Sequence, residues 1–392
     1  MKNFVYHTPT KVVFGKNTET QVGELIKEES GKKVLVHYGS ESAKKSGLLD
    51  RVCDSLKKSG VDYISLGGVV ANPRLSKVYE GIDLCKKEGV DFILAVGGGS
   101  VIDSAKAISY GVANPGDVWD FFEWTREVEA ALPVACILTI AAAGSEMSNS
   151  AVITNEEKQL KRGVSTPFGR CRFSILNPEL TYTLPDYQVQ CGVTDMMMHT
   201  MERYFSSVKT MQVTDALAES LLKTIMKNAL LAKKNPNDYE AKAELMWAGT
   251  LAHNGLTGCG GGGDWATHSL QHELGALFDV AHGAGLAAIW GSWARYVYKK
   301  DVNRFVQFAV NVMDVENDPS DPEKTALAGI EAMEKFYQAI GMPIRIKDFG
   351  IDITEEQIQT MAKKCSMDDS RDVGDFYSLK MADMIKIYTA AK

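Results

Sequence analysis

The chain has 392 residues, of which 45% are hydrophobic and 24% are charged, and its formal net charge is −7. This length suits two domains better than one core, and the absence of a Lys/Arg stripe argues against nucleic-acid binding. No apolar run reaches the roughly 18 residues of a membrane helix. Seven scattered cysteines without a Cys-x-x-Cys pair indicate reduced thiols. We therefore expect a cytoplasmic protein of enzyme size that binds neither nucleic acid nor membrane.

The first half of the chain alternates short apolar strands with amphipathic helices. Because these strands are apolar on both faces, we predict a parallel sheet covered by helices. The strands are predicted at 33–38, 63–66, 91–96 and 133–140, and the helices at 42–59, 75–88 and 102–110.

After Leu184-Pro185 the patterns are helical, and we find no convincing strand. The linker containing Pro185 predicts two domains, an α/β domain over 1–185 and a helical domain over 186–392. Small-molecule sites commonly form in the cleft between such domains. The helices with apolar residues at three-to-four spacing are predicted at 215–232, 238–256, 302–313 and 325–340.

Two loops built from small residues each follow a predicted strand. The run Gly97-Gly98-Gly99-Ser100 opens a helix, whose N–H groups and positive end favour a phosphate. The alternative is a tight turn in which Ser100 and Asp103 form a capping box. The second loop, 139–146, permits the close approach of a ligand, or simply the packing of a helix on the sheet. The first run is not the G-x-G-x-x-G fingerprint of an ordinary Rossmann domain.

Histidines suggest a metal site. Asp195 and His199 are four residues apart in a predicted helix, so their side chains share one face, although such a pair alone is more often a surface pair. Three of the seven histidines, His268, His272 and His282, lie within fifteen residues. The alternative is a set of exposed or core histidines without a shared ligand.

His268 and His282 can bind one metal only if the chain bends between them. On a straight helix the fourteen intervening steps span roughly 21 Å. Gly275 and the non-periodic stretch 277–280 offer the bend, with Asp279 available to cap the next helix. One Asp with three His suits Zn²⁺ or Fe²⁺. Such an ion polarises a carbonyl or lowers the pKa of an alcohol.

Together these segments resemble the iron-containing (group III) alcohol dehydrogenase family, most closely its butanol dehydrogenase and NADPH-dependent aldehyde reductase branch. The resemblance covers about residues 4–300, and the later helices fit more loosely. The motifs that carry it are Gly97-Gly98-Gly99-Ser100-x-x-Asp103, Gly192-Val193-Thr194-Asp195-x-x-x-His199-x-x-Glu202, Asp264-Trp265-Ala266-Thr267-His268-x-x-x-His272-Glu273-Leu274 and Ala281-His282-Gly283-Ala284-Gly285-Leu286.

The resemblance implies a dehydroquinate-synthase-like fold, an α/β nucleotide-binding domain followed by a helical domain. It also implies a homodimer or larger assembly and the interconversion of small alcohols and aldehydes with a nicotinamide cofactor. His272 would lie near the nicotinamide and relay a proton. The implied metal ligands are Asp195, His199, His268 and His282. The implied cofactor residues are Gly97, Gly98, Ser100, Asp103, Thr139, Ser148 and Lys161.

One of these assignments has an alternative, and another concerns a loop whose sequence departs from that of the family. Lys161 matches the family's ribose-contacting lysine, but it could equally be a solvated loop residue beside Lys158 and Arg162. The family's second loop usually reads Thr-Thr-x-x-Thr-Gly, whereas this chain has Thr139-Ile140-Ala141-Ala142-Ala143-Gly144. The missing hydroxyls weaken the assignments beyond Thr139.

The end of the second predicted strand favours NADP, with NAD as the alternative. NAD-specific enzymes place an acid there, which repels a 2′-phosphate. This chain has Gly39, which leaves room, and Ser40, which can donate a hydrogen bond, with Lys44 or Lys45 nearby. Glu41 argues the other way.

Four other functions compete with this reading. A 3-dehydroquinate synthase-like lyase shares the fold, but its phosphorylated substrate calls for Lys and Arg. We instead expect an apolar lining of Trp247, Leu251, Cys259, Trp265 and Phe278 around the metal. Glycerol dehydrogenase is a closer alternative, which the Asp264–His268 run disfavours. The third alternative is a non-catalytic nucleotide-binding protein. The fourth is a metallohydrolase, which would leave the glycine loop unexplained.

Overall fold

The computed structural model describes residues 1–39, 42–209 and 211–392. They form two compact units. One is His7–Leu184, and the other combines Met1–Tyr6 with Pro185–Lys392. The first residues join the later unit through the backbone N–H of Lys2, which donates to the carbonyl of Gly260 at 2.7 Å. No helix in the described part of the chain is both long enough and apolar enough to cross a membrane.

The first unit contains a six-stranded sheet in which all neighbouring strands are parallel, in the order β1-β8-β5-β4-β2-β3, and a separate antiparallel pair, β6-β7. The strands are β1 (Lys11–Phe14), β2 (Lys33–Tyr38), β3 (Asp62–Leu66), β4 (Phe92–Gly97), β5 (Val134–Leu138), β6 (Ser150–Asn155), β7 (Leu160–Ser165) and β8 (Phe173–Leu176). The helices are α1 (Val22–Glu28), α2 (Ser42–Lys45), α3 (Leu48–Lys58), α4 (Leu75–Glu88), α5 (Gly99–Ala113) and α6 (Trp119–Phe122).

The strand order creates a switch point between β2 and β4. The chain leaves β2 toward one edge of the sheet and leaves β4 toward the other, although the two strands are neighbours. Ligands of such sheets bind at the carboxyl ends of the two strands at this point. The central strands are apolar on both faces, with Val34, Leu94 and Ile137 fully buried. The rigid sheet therefore fixes the two loops that begin near Gly39 and Gly97.

The second unit is helical. Apart from a single bridge between Val373 and Leu379, its described residues contain no strand pairing. The helix His282–Val297 is buried for most of its length, with Trp290 and Trp293 inside the core. The helices are α7 (Asp186–Tyr204), α8 (Gln212–Lys234), α9 (Tyr239–His253), α10 (Ala266–Phe278), α11 (His282–Val297), α12 (Val302–Asn311), α13 (Pro322–Ala339), α14 (Glu355–Cys365) and α15 (Met381–Ala391).

The predicted fold class is confirmed, an α/β unit with a parallel sheet and a helical unit. Several elements differ in detail. The helix predicted over 42–59 is two helices, because Gly47 takes a left-handed conformation with φ 69° between them. Strands β1, β6, β7 and β8 were not predicted. The β7 sequence Leu160–Ser165 is largely polar, so it lacks the apolar run on which the prediction relied.

Candidate functional site

The glycine loop lies between β4 and α5, and its glycines are required by packing. Gly98 has φ −91°, which any residue can adopt. A Cβ on Gly98 would lie 2.2 Å from Cγ2 of Ile140, and one on Gly99 would lie 3.0 Å from Cβ of Ala143. The missing side chains therefore let the second small-residue loop lie directly against the first. The N–H groups of Val101 and Ile102 donate to the carbonyl of Gly98 at 3.0 and 3.1 Å, which leaves the N–H groups before them, at the start of α5, for an anion.

Asp103 joins the two loops, and it does not form the capping box considered as the alternative. The Ser145 hydroxyl donates to Oδ1 of Asp103, and the backbone N–H of Val152 donates to Oδ2 at 3.0 Å. Burial raises the pKa of Asp103. Ser100 lies in the first turn of α5 and is not the N-cap. The N-cap is Gly98, which has no side chain with which to cap the helix. The Asp103 carboxylate thus holds the second loop to α5 through hydrogen bonds.

Lys106, one turn further along α5, is a residue that the sequence analysis missed. Its side chain is fully buried. Its ammonium group donates to the carbonyl oxygens of Ser145, Ser148 and Ser150 at 2.7, 3.1 and 2.9 Å. Three backbone acceptors on one cation hold the second loop in a fixed shape. Only the position of a lysine inside an apolar helix face could have signalled this role.

The other proposed cofactor residues of this unit lie around the same loops. The backbone N–H of Thr139 donates to the carbonyl of Gly97, and Ser148 is buried beside Lys106. Lys161 is also buried, and its ammonium group donates to the Asn72 side chain at 3.0 Å. The alternative that Lys161 is a solvated loop lysine is therefore wrong, because the side chain is buried and the residue lies in β7.

The end of β2 lies at the switch point. Gly39 follows Tyr38, which pairs with Val96 of β4. Ser40 and Glu41 lie outside the described residues. The ammonium group of Lys44 lies 5.5 Å from the centre of the Tyr38 ring. A positive charge therefore stands next to the end of the second strand.

The histidines and Asp195 are brought together by three helices of the helical unit. Asp195 and His199 lie on α7, His268 on α10, and His282 is the first residue of α11. The expected bend occurs where α10 ends at Phe278 and Asp279 turns left-handed with φ 51°. The prediction that Asp279 caps the following helix is wrong, because Ala281 occupies that position.

A glycine allows the third helix to approach the first. A Cβ on Gly283 would lie 1.9 Å from the carbonyl oxygen of Cys191 in α7, so only glycine fits there. The first turn of α11 therefore packs directly on the backbone of α7, one turn before Asp195. This close approach brings the His282 imidazole to the Asp195 carboxylate.

The geometry suits a small divalent metal. The Nε2 atoms of His199, His268 and His282 lie 3.7, 3.7 and 3.5 Å from Oδ1 of Asp195. Ligands about 2.1 Å from a tetrahedral ion are roughly 3.4 Å apart. The ligand atoms of Asp195, His268 and His282 all lie within 4.8 Å of one another, and His199 stands outside that closest group.

The donor atoms are also deeply buried. Among the described residues, Oδ1 of Asp195 and Nε2 of His268 have no hydrogen-bond partner. Buried polar atoms without partners are costly, and a shared cation would satisfy both. The donor set of one carboxylate and three imidazoles therefore fits Fe²⁺ or Zn²⁺.

Two polar residues that the sequence analysis gave no role hold the imidazoles. Glu202 accepts hydrogen bonds at Oε1 from the backbone N–H and the Nδ1 of His268, at 3.0 and 3.1 Å. Gln271 accepts one at Oε1 from Nδ1 of His282. Each contact turns Nε2 of the ring toward Asp195. Glu202 stands three residues after His199, which could have signalled it, whereas nothing in the spacing pointed to Gln271.

The pKa values of two of the imidazoles shift in opposite directions. Burial lowers the pKa of His199 well below its usual value, and the neighbouring His253 and His268 lower it further. Burial alone would lower the pKa of His268 too, but the carboxylates of Asp195 and Glu202 outweigh it, so the net shift is upward. A divalent cation displaces that proton readily, because it competes for the same carboxylate-facing nitrogen.

Five of the seven histidines form one continuous row of rings. Neighbouring ring centres from His253 through His199, His268 and His282 to His272 are 3.9, 4.7, 5.4 and 5.8 Å apart. The ring of His272 thus lies beside that of His282, whose side chain is 25% exposed and more open than the other three ligands. A proton donor at His272 would stand next to the most accessible ligand.

Trp265 packs against this row of rings and has a strained backbone conformation. Its φ of 61° is in the left-handed region, which is rare for a bulky residue. The indole contacts the rings of His253 and His268 edge-on, and the Arg203 guanidinium lies 4.6 Å from its centre. Trp265 is one of the residues that we expected to form an apolar lining around the metal, and it does contact the histidine rings. Trp247 is wrong as a lining residue, because its side chain is 41% exposed on the surface.

Comparisons with known proteins show the family to which the chain belongs. Residues 9–178 match the model of the iron-containing alcohol dehydrogenase family, and residues 189–392 match the C-terminal model of the Fe-containing alcohol dehydrogenase family. The chain is 40% identical over the full length of both chains to a probable NADH-dependent butanol dehydrogenase 1 of Bacillus subtilis. It is 35% identical, again over both whole chains, to the NADPH-dependent aldehyde reductase YqhD of Escherichia coli.

A solved structure is similar throughout. The crystal structure of an NADH-dependent butanol dehydrogenase A from Thermotoga maritima superposes with a TM-score of 0.96 at 41% identity, covering 100% of this chain and 99% of that one. The expected family resemblance is thereby confirmed. The chain belongs to the iron-containing alcohol dehydrogenase family.

Proposed function

We propose that this alcohol dehydrogenase transfers a hydride between NAD(P)(H) and small primary alcohols or aldehydes, such as butanol and butyraldehyde. In this proposal residues 1–185 bind the dinucleotide, and residues 186–392 bind the metal and the substrate. The observation that carries it is the convergence of three Nε2 atoms on one buried carboxylate oxygen of Asp195. The names of the relatives with NADH- or NADPH-dependent activity support the substrate and cofactor class.

The metal would be held by Asp195, His199, His268 and His282. When bound, Fe²⁺ or Zn²⁺ supplies Lewis acidity, which makes a carbonyl more electrophilic and an alcohol more acidic. Glu202 and Gln271 keep two of the imidazoles turned with Nε2 toward Asp195. His272 donates a proton to the substrate oxygen during aldehyde reduction and accepts it during alcohol oxidation.

The dinucleotide would lie on the two loops of the α/β unit. The N–H groups at Gly98, Gly99 and Ser100, at the positive end of α5, would hold its pyrophosphate. Thr139, Ser148 and Lys161 line the same cofactor site, and Asp103 holds its shape. The nicotinamide supplies or accepts the hydride.

We propose a preference for NADP over NAD. Gly39 carries no acid at the end of β2, and a Cβ there would make only ordinary contacts, so the space tolerates a larger group. Lys44 adds a positive charge beside Tyr38, where a 2′-phosphate would gain from it. The names of the relatives favour NADH, since four at 38–40% identity specify NADH and one at 35% specifies NADPH.

The deciding experiment measures the oxidation of NADPH and NADH with butyraldehyde before chelation, after chelation and after adding back Fe²⁺ or Zn²⁺. We expect chelation to abolish turnover, one metal to restore it, and NADPH to give the higher kcat/KM. Lys44→Ala should lower the NADPH-to-NADH ratio of kcat/KM by about 3- to 10-fold, the size expected for one partly exposed charge.

Two results would contradict the proposal. Turnover that is unaffected by removal of all metal would overturn the metal-dependent reaction. Nucleotide binding without turnover under any metal would instead favour the non-catalytic or lyase alternative. The His7→Ala variant is the matched control, because it removes an exposed histidine of the other unit and should leave all rates unchanged.

We further propose that the enzyme forms a homodimer or larger homo-oligomer and acts in the cytoplasm. The first proposal rests on the family resemblance, and the second on seven cysteines that are all free thiols. Light scattering coupled to size-exclusion chromatography measures the assembly directly. A mass equal to the 42.9 kDa chain would overturn the oligomer.

A further inference from the structure

The three imidazoles around Asp195 are held in two different ways. His268 and His282 each have their Nδ1 atom fixed by a side-chain oxygen, from Glu202 and Gln271 respectively. The Nδ1 of His199 is buried, yet no hydrogen-bond partner for it exists in residues 1–39, 42–209 and 211–392. Metal-binding histidines nearly always donate this second nitrogen to an oxygen. His199 therefore needs some other restraint on its ring.

That restraint is a close ring contact. The centre of the His253 ring lies 3.9 Å from that of His199, with the planes inclined by 50°. His268 covers the ring at 4.7 Å in a stacked arrangement. His268 stacks on the imidazole of His199 and His253 lies against it more closely at a tilt, so the two rings together resist its rotation about the bond that carries it. A loose His199 would swing its Nε2 away from Asp195.

His253 is itself held in place by Arg203. The Nη2 of Arg203 lies 3.3 Å from Nδ1 of His253, and since a guanidinium can only donate, Nδ1 is the acceptor and the His253 proton is on Nε2. The Nη1 of Arg203 donates to the carbonyls of His199 and Ala252 at 2.8 and 3.0 Å. One side chain thus links the backbone of α7 at His199 to the ring that contacts it.

We propose that His253 is the positioning residue for the His199 ligand, and that it acts through its ring in place of the missing hydrogen bond. The proposal rests on the proposed metal site, since it takes His199 as a ligand. It makes a specific claim about shape. A flat ring at position 253 keeps the metal tightly bound, whereas a side chain of similar size without a ring does not.

The test compares His253→Phe with His253→Gln in purified enzyme. Zn²⁺ affinity is measured by competition with a chromophoric chelator, and Co²⁺ loading by the visible absorption of the bound ion. We expect His253→Gln to weaken Zn²⁺ binding by about 10- to 100-fold, the usual effect of removing a group that orients a ligand. His253→Phe should stay within about 3-fold of the wild type and retain the Co²⁺ spectrum, because the ring contact remains.

The outcomes separate this inference from the proposed function. Equal weakening by Phe and Gln would show that a flat ring is not sufficient, and would overturn the ring-contact role. Wild-type affinity in His253→Gln would overturn it as well. If His199→Ala left the affinity unchanged, the proposed ligand set would fail instead. Should the Gln variant not fold, His253→Leu, which is apolar but not flat, gives the same comparison with Phe.

Discussion

The cluster of Asp195 and three histidines in the helical unit and the two small-residue loops of the α/β unit are built in opposite ways. The cluster depends on what side chains add, since three imidazole nitrogens from three helices meet at the Asp195 carboxylate. The loops depend on what is missing, since Gly98 and Gly99 have no side chains where Ile140 and Ala143 must fit. A cluster of the first kind is damaged when one atom is removed. A loop of the second kind is damaged when one atom is added.

The largest effect is expected from His268→Ala, which removes a buried donor. The metal should be lost and turnover should fall by at least about 10³-fold, because the ion's several kcal/mol of charge stabilisation is lost with it. Metal analysis and butyraldehyde kinetics measure the two effects. NADPH binding, followed by nucleotide fluorescence, should be unchanged. A variant that keeps its metal would contradict the ligand assignment.

A smaller effect should follow from His272→Ala, which leaves the donors in place. We expect the metal content to stay normal while kcat falls by about 10²-fold, the lower range for loss of a general acid. Metal analysis beside steady-state kinetics checks both. Loss of metal in this variant, with retention in His268→Ala, would exchange the roles of the two histidines.

The smallest effect is expected from a substitution that adds a methyl group to the first loop. Gly98→Ala should weaken NADPH binding by about 10-fold, since overpacking costs about 1–3 kcal/mol. The metal content should not change. Ile140→Ala in the same chain should restore most of the affinity, because it vacates the space that the new methyl group needs.

The double variant also separates packing from direct obstruction. If Gly98→Ala blocked the phosphate itself, removing the Ile140 side chain would recover nothing. Ile140→Ala alone provides the matched control for any independent loosening of the second loop. Nucleotide titrations of the three variants and the wild type complete the cycle.

The sequence predicted the elements with strong periodicity well, and the contacts between distant segments poorly. The helix predicted at 75–88 coincides with α4, and the strand at 33–38 coincides with β2, because each has a clear apolar pattern and punctuating residues. The polar β7 lacked such a pattern. Gly47 was not recognised as a break, since nothing local distinguishes a left-handed glycine from a tolerated helical one.

For the candidate site, residue types were readable but their partners were not. The repeated histidines marked a metal-type cluster, and the 14-residue separation of His268 and His282 already required a bend. The buried Lys106 with its three carbonyl acceptors, and the Gln271 contact to His282, depend on segments that meet only after folding. Asp279 was assigned to the wrong helix end, because Asp suits both an N-cap and a left-handed position.

The left-handed backbone of Trp265 stores strain beside the row of histidine rings. Holding a bulky residue there costs on the order of 1–3 kcal/mol, and Gly or Asn would relieve much of it. The same substitutions would remove a half-buried indole that packs against His253, His268 and the Arg203 guanidinium, a loss on the order of 1–3 kcal/mol or more. The two free-energy terms oppose each other, so relieving the strain does not by itself make the protein more heat-resistant. Screens for thermostable variants of this enzyme should hold this position fixed.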